Sequence, residues 1–272
     1  MPSQLRLDFD FDADRLQRDL ALVRSDEWIA HFNKNDYDGG WSGVSLRSIG
    51  GAAKNILPGA KASPDSFADT PILARCSYFA EVLRHFRCPI RSARLLRLQP
   101  GSIIREHRDQ DLGFKDGEVR IHVPIITNPD VALFVNGDRL PMNPGEAWYI
   151  DFSLPHRVRN RGTTDRIHLV IDCIVDDWLR GVLAPVAAEA EATITRPQTK
   201  APRSPEAFRQ FRAVVEQDDA LQEDLRDITD RELFASRLVK LGASRGCHFA
   251  EADVAEALRA ERRVWLDRRM MK

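Results

Sequence analysis

Val119-Arg-Ile-His-Val-Pro-Ile-Ile and Arg166-Ile-His-Leu-Val-Ile-Asp are the two runs on which the reading of this chain turns. Each is short, rich in β-branched residues and interrupted at alternate positions by Arg and His. Side chains two apart on a strand share a face, so Arg120 with His122, and Arg166 with His168, would stand together on one side while the apolar residues pack on the other. Between and around these runs, from about Arg91 to Asp176, lie others of the same kind: Ala93-Arg-Leu-Leu-Arg-Leu, Ser102-Ile-Ile-Arg-Glu-His, Ala132-Leu-Phe-Val and Ala147-Trp-Tyr-Ile. Clusters of Gly, Pro, Asn and Asp separate them. Such a series predicts an antiparallel all-β sandwich or barrel, and Asn136-Gly137 between two runs predicts a tight hairpin.

Outward from this block the pattern changes. Leu5 to Phe11 reads as a strand, and Leu16, Leu20 and Val23 fall at helical spacing after Asp12. Trp41 to Ala53 alternates and contains several glycines, Pro58 to Pro71 reads as a surface loop, and Phe79, Val82, Leu83 and Phe86 mark one face of a helix. Past Val186 an Ala/Glu run and Arg196-Pro-Gln-Thr-Lys-Ala-Pro read as a tether. The expected organisation is a domain over 1–185, a linker over 186–203 and a small helical domain over 204–272. In that last part Ser204-Pro205 is a helix start, Phe208, Phe211 and Val215 its buried face, and Thr229-Asp-Arg-Glu232 a capping box before a helix with Phe234, Leu238 and Leu241. A third helix would carry Val254, Leu258 and Trp265.

The 272 residues carry 40 Lys+Arg against 41 Asp+Glu, a formal charge of -1, so no net field draws the chain to nucleic acid or to an anionic membrane. Hydrophobic residues at 43% and charged residues at 30% suit a globular protein. The N-terminus has no basic start followed by an apolar run, and the chain is read as cytoplasmic. Cys76, Cys88, Cys173 and Cys247 lack paired short spacing, which argues for free thiols over a zinc knuckle or a disulfide framework.

The chemistry is carried by one H-x-D, His107-Arg108-Asp109, directly after a strand-like run, and by His156 after Ser153-Leu-Pro. Two imidazoles and one carboxylate on one side of a metal leave its other side open, as non-haem iron(II) oxygenases require. A structural zinc site would instead close with four protein ligands. Arg166, ten positions beyond His156, offers a guanidinium that takes a carboxylate bidentately. Arg120 with His122 forms a second inward basic pair, and the two pairs together suit a dianionic co-substrate and a carboxylate-bearing substrate.

Pro100-Gly-Ser-Ile-Ile-Arg-Glu-His-Arg-Asp109, Arg120-Ile-His122, Pro144-Gly-Glu, Asp151-Phe-Ser, His156, Asn160 and Arg166 to Asp172 resemble, in that order, the aspartyl/asparaginyl/prolyl hydroxylase family of 2-oxoglutarate dioxygenases, over roughly residues 5 to 180. The first third, including the Trp41 segment, is most similar in style to bacterial free-proline cis-hydroxylases. The resemblance implies a double-stranded β-helix, the cupin-like jelly roll, with flanking helices. It implies His107, Asp109 and His156 as catalytic iron(II) ligands, Arg166 as partner of the distal carboxylate of 2-oxoglutarate, His122 beside that co-substrate, and Arg120 and Trp41 beside the substrate, with O2 as the second co-substrate. The vertebrate aspartyl hydroxylases lack the acidic ligand, whereas Asp109 is present here. The serine those enzymes use for 2-oxoglutarate aligns with Leu96, so that role does not transfer. In the tail, Ser204-Pro-Glu-Ala-Phe-Arg-Gln-Phe, Asp219-Ala-Leu-Gln-Glu-Asp-Leu and Gly246-Cys-His-Phe-Ala-Glu-Ala-Asp-Val resemble the Nif11-like leader domain, which implies a peptide- or protein-docking role, beside the plainer one of packing or dimerisation. The reaction expected is hydroxylation of an amino-acid side chain, with an Asp or Asn residue of a peptide ahead of a free amino acid such as proline. A cupin-like binding protein without turnover and a peptide-docking adaptor remain as alternatives.

Overall fold

A computed structural model describes residues 2–58, 62–184, 204–226, 228 and 231–259. The chain divides into two compact units, Met1–Thr193 and Ile194–Lys272. The tether of 186–203, Trp265 and the first two residues of the capping box lie outside the described residues.

In the first unit thirteen strands form two antiparallel sheets. The larger holds β1 (Gln4–Asp10), β2 (Ile29–Ala30), β4 (Trp41–Ile49), β5 (Phe67–Asp69), β6 (Ile90–Leu98), β8 (Glu118–Ile126), β11 (Glu146–Ile150) and β13 (Arg166–Ile174), in the order β1-β11-β8-β13-β6-β4-β2 with β5 beside β4. The smaller holds β3 (Tyr37–Asp38), β7 (Ile103–His107), β9 (Val131–Val135), β10 (Asp138–Leu140) and β12 (His156–Asn160), in the order β10-β9-β12-β7-β3. Neighbours in space come from distant parts of the sequence, as in a jelly roll. The fold is the mainly β, cupin-like architecture expected, with α1 (Ala13–Leu20), α2 (Ser77–His85) and a third helix, α3, over 177–184.

The alternation of the central strands explains the layers. Leu95 of β6, Ile121 and Val123 of β8 and Leu169 and Ile171 of β13 pack with Leu16, Phe79, Val82 and Leu179 of the three helices. The opposite face of the larger sheet, with Trp41 of β4, Leu98 of β6 and Ile150 of β11, meets Ile104, Leu133, Val135 and Val158 of the smaller sheet. Between the sheets, however, the middle positions are polar: Arg94, Arg120, His122, Arg166, His168 and Asp172 are on this inner face. A sheet interior that is polar needs partners for those groups, and they build the site described below.

Local chemistry fixes the ends of the elements. Asp12 caps α1 by accepting from Arg15 N at 2.9 Å. Asn136 and Gly137, at φ 48° and 81°, form the two-residue hairpin between β9 and β10. The stretch expected as a surface loop over Pro58–Pro71 is partly structured, because Phe67 is buried and Phe67–Asp69 pairs with β4. Three residues were too short a run to show a period. Cys76, Cys88 and Cys173 are buried free thiols, and Cys247 is a half-buried one. Among the described residues no helix is long and apolar enough to cross a membrane.

The second unit contains α4 (Pro205–Gln217), α5 (Asp219–Arg226), α6 (Arg231–Ala243) and α7 over 251–259. Ser204 caps α4 by accepting from Ala207 N, and Phe208 and Phe211 pack with Leu238, Phe249 and Val254. Among the described residues this is one helix more than the sequence pattern suggests, because α5, with eight residues, is too short for its period to stand out.

Gly145 ties β1, β8 and β11 together: its N–H donates to Pro124 O at 2.9 Å and its carbonyl accepts from Phe11 N at 2.8 Å. It sits at φ 88°, where a Cβ would run into the Phe11 carbonyl oxygen. Gly145→Ala is therefore expected to lower unfolding stability by more than about 1 kcal/mol, read as a shift of the urea midpoint at unchanged slope.

Candidate active site

Three side chains converge at one end of the space between the sheets. His107 closes β7, and Asp109 follows on the loop, its N–H donating to Phe152 O at 2.9 Å. His156 opens β12 directly across from His107 in the register. One ligand atom from each of the three lies within 4.8 Å of the others. The His107 and His156 Nε2 atoms are 3.2 Å apart, and His107 Nε2 is 3.6 Å from Asp109 Oδ1.

Both rings are held from behind. Nδ1 of His107 faces Arg105 O at 2.8 Å and Nδ1 of His156 faces Leu154 O at 3.0 Å. A ring nitrogen facing a carbonyl must carry the proton, which leaves the lone pair on Nε2. Burial pushes His156 down to about 4, keeping it neutral, the form that binds metal. Two imidazole lone pairs and a carboxylate oxygen directed at one point repel each other unless a cation lies among them. The donor set therefore fits a divalent metal, and among the described residues no fourth His, Cys, Asp or Glu joins it, so coordination positions stay open.

Asp109 is oriented through a chain of charges. Its Oδ2 accepts from Arg120 Nη1 at 2.6 Å, while Arg120 Nε donates to Asp172 Oδ1 at 2.6 Å. Asp172 has no exposed surface and also accepts from Arg94 Nη2 at 2.6 Å and Ser92 Oγ at 2.7 Å. Burial alone would raise the Asp172 carboxyl, but Arg120 and Arg94 outweigh it and hold it well below the usual carboxylate range. Arg120, expected beside a substrate, thus has carboxylates on two sides. It reaches the cavity as the orienter of Asp109.

At the far end of the same cavity sits Arg166, 2% exposed. Burial lowers it to about 9, and among the described residues no carboxylate is within ion-pair reach of it. Its Nη2 donates to His168 Nδ1 at 3.0 Å, which makes that nitrogen an acceptor, so the His122 Nδ1 lying 3.2 Å from it carries the proton. Burial keeps both imidazoles neutral, their values pushed well below the ordinary one. The Arg166 Nε and His122 Nε2 atoms have no hydrogen-bond partner. A buried guanidinium with an open donor and no counter-charge fits an anionic ligand, since the fold alone leaves that charge uncompensated.

The cavity joining these ends measures about 610 Å³. Trp41 lines it and stacks on His31, with ring centroids 3.4 Å apart and planes at 10°. Leu96 lines it too. Three contributors were missed in the sequence. Asp172 was signalled by the alternation that picked out Arg166 and His168 on β13, and Arg94 more weakly, by its alternation with Ser92 on β6. His31, by contrast, is in a loop without any periodic pattern, and only the stacking reveals it.

The described geometry can be set beside known proteins. The model of the aspartyl/asparaginyl beta-hydroxylase family matches residues 11–175. The L-proline cis-4-hydroxylase of Rhizobium meliloti (strain 1021) is 28% identical over 183 residues, 65% of this chain, which spans 64% of that relative's length. Among solved structures, a Pseudomonas putida prolyl-4-hydroxylase is similar at TM-score 0.42 and 13% identity, covering 64% of this chain and 93% of its own. The viral collagen prolyl hydroxylase of Paramecium Bursaria Chlorella virus-1 is similar at 0.40 and 7%, covering 64% and 97%. With the family match running over most of the first unit, from α1 to the end of β13, the chain belongs to the aspartyl/asparaginyl beta-hydroxylase family.

Proposed function

We propose that this chain is an iron(II)- and 2-oxoglutarate-dependent hydroxylase of a free amino acid. The observation that carries the proposal is the pairing, across one cavity, of a three-ligand cluster with open positions and a buried guanidinium without a counter-ion. His107, Asp109 and His156 would hold the iron, and Arg166 would take the far carboxylate of 2-oxoglutarate bidentately. When bound, iron and 2-oxoglutarate together supply the oxidising chemistry, consuming O2 and releasing succinate and carbon dioxide.

The chain's own part is placement. The carbonyls of Arg105 and Leu154 fix the two imidazoles, and Arg120 keeps the second oxygen of Asp109 occupied so that the first faces the metal position. His122 and His168 stay neutral beside Arg166, so they add no charge to compete for the co-substrate. Apolar Ile104, Leu133, Phe152 and Val158 line the cavity and limit the water in it.

The free amino-acid reading draws support from Arg94. It lines the cavity, its side chain is buried, and its Nε has no partner. With Asp172 holding one edge, that open donor suits a substrate α-carboxylate, which a residue inside a peptide does not offer. Trp41 and His31 form a flat wall suited to an aliphatic or cyclic side chain. The name of the Rhizobium relative agrees with this reading. A peptide Asp or Asn residue remains the second reading, favoured by the family's description and by a small apolar cavity of about 200 Å³ in the helical unit, where a Nif11-like docking role would act. Succinate release with free amino acids but not with peptides supports the first reading. The reverse result supports the second.

Two outcomes test the assignment, and a third tests the buried charge network behind it. His107→Ala is expected to abolish 2-oxoglutarate consumption, and a wild-type chain that never consumes it with iron(II) would favour a binding protein without turnover. Arg166→Ala is expected to raise the KM for 2-oxoglutarate by roughly thirtyfold or more, the loss of a buried charged contact costing about 2–5 kcal/mol. Asp172→Asn leaves two guanidiniums short of a counter-charge and is expected to cost about 3–5 kcal/mol of stability, measured by denaturant titration.

A further inference from the structure

The space between the sheets continues past Arg166. Leu133 and Arg166 line the metal cavity on one side and a second cavity of about 690 Å³ on the other. Thr127 and Asn128, just beyond the end of β8, line this second space, whereas Arg120 near the start of β8 lies beside the metal ligands. The two cavities are thus stacked along the strands, with Arg166 in the wall between them.

The second cavity is cationic. No Asp or Glu lines it, while Arg139 and Arg166 do. Arg139 spends Nη2 on the carbonyls of Pro129 and Val131, at 3.0 and 3.2 Å, so its place is fixed but its charge is not neutralised there. Arg166 brings a buried Nε without a partner. Asn128 and Asn143 add amides, and Met142 with three prolines supplies apolar wall. Two guanidiniums and an apolar wall match two carboxylates joined by a short aliphatic spacer.

We propose that this second cavity binds a small dicarboxylate of the succinate class, with Arg166 shared between it and the metal cavity. The binding claim stands on the cavity itself, and only its coupling to 2-oxoglutarate rests on the function proposed above. One guanidinium serving two carboxylates serves each less well, so occupancy of either cavity weakens the other by the same factor. The reaction's dicarboxylate product would then slow the next loading of co-substrate without entering the metal cavity.

The test is calorimetric titration of the iron(II)-loaded full-length chain, kept free of oxygen, with succinate and separately with inorganic phosphate. The expected result is two succinate sites, the second weakened roughly tenfold by saturating 2-oxoglutarate and lost in Met142→Trp, which fills the cavity, and in Arg139→Gln, which removes a charge but keeps amide donors. Turnover at low succinate should stay unchanged in both variants. A single succinate site that 2-oxoglutarate displaces, or a second site indifferent to both substitutions, overturns the inference and leaves the proposed function standing. Phosphate binding as well as succinate overturns the dicarboxylate assignment. If neither 2-oxoglutarate nor succinate binds, both readings fall together.

Discussion

The carboxylate of Asp172 is the constraint around which the site is arranged. It lies on the inner face of the central strand and gathers Ser92 and Arg94 from β6 and Arg120 from β8. Those three strands are adjacent, so one group staples the middle of the larger sheet. The staple also aims outward, because Arg120 reaches on to Asp109. A buried ion pair is a weak source of net stability, since desolvation offsets most of the attraction. What it supplies here is direction. Two cations inside a β interior stay at fixed positions because a single anion stands between them.

That arrangement depends on using the two faces of each strand for different purposes. On β13, Ile167, Leu169 and Ile171 are packed under helices, while Arg166, His168 and Asp172 face the interior. The same division on β8 separates Ile121 and Val123 from Arg120 and His122. This is why so much of the site could be read from sequence. Period-2 alternation of an apolar and a charged set is a statement about faces, and two neighbouring strands with the same alternation bring their charged sets together. Asp172 obeys the rule, whereas Arg94 shares β6 with Arg91, Ser92 and Arg97, polar residues on both faces that blur the alternation.

Other features were beyond local pattern. β12 packs every residue, including Arg157 and Arg159, so it shows no alternation, and Phe67–Asp69 is a strand only because β4 offers it an edge. His31 stacks on Trp41 through a loop conformation that no neighbouring residue announces. In the helical unit, α5 carries Leu221 and Leu225 on a stretch of eight residues, too few for a period to stand out. The clustering of His107, Asp109 and His156 was legible for a different reason: coordination chemistry restricts which residue types can gather, and an H-x-D at the end of a strand already places two of them on one side.

The isolated charge of Arg166 has a consequence for the life of the protein between encounters with its ligands. Without an anion beside it, the folded chain keeps a desolvated cation with no counter-ion, and an anion that binds there favours the folded state over the unfolded one by an amount that grows with the logarithm of its concentration. Supply of a small acid that fits there would then govern how much of the protein survives proteolysis.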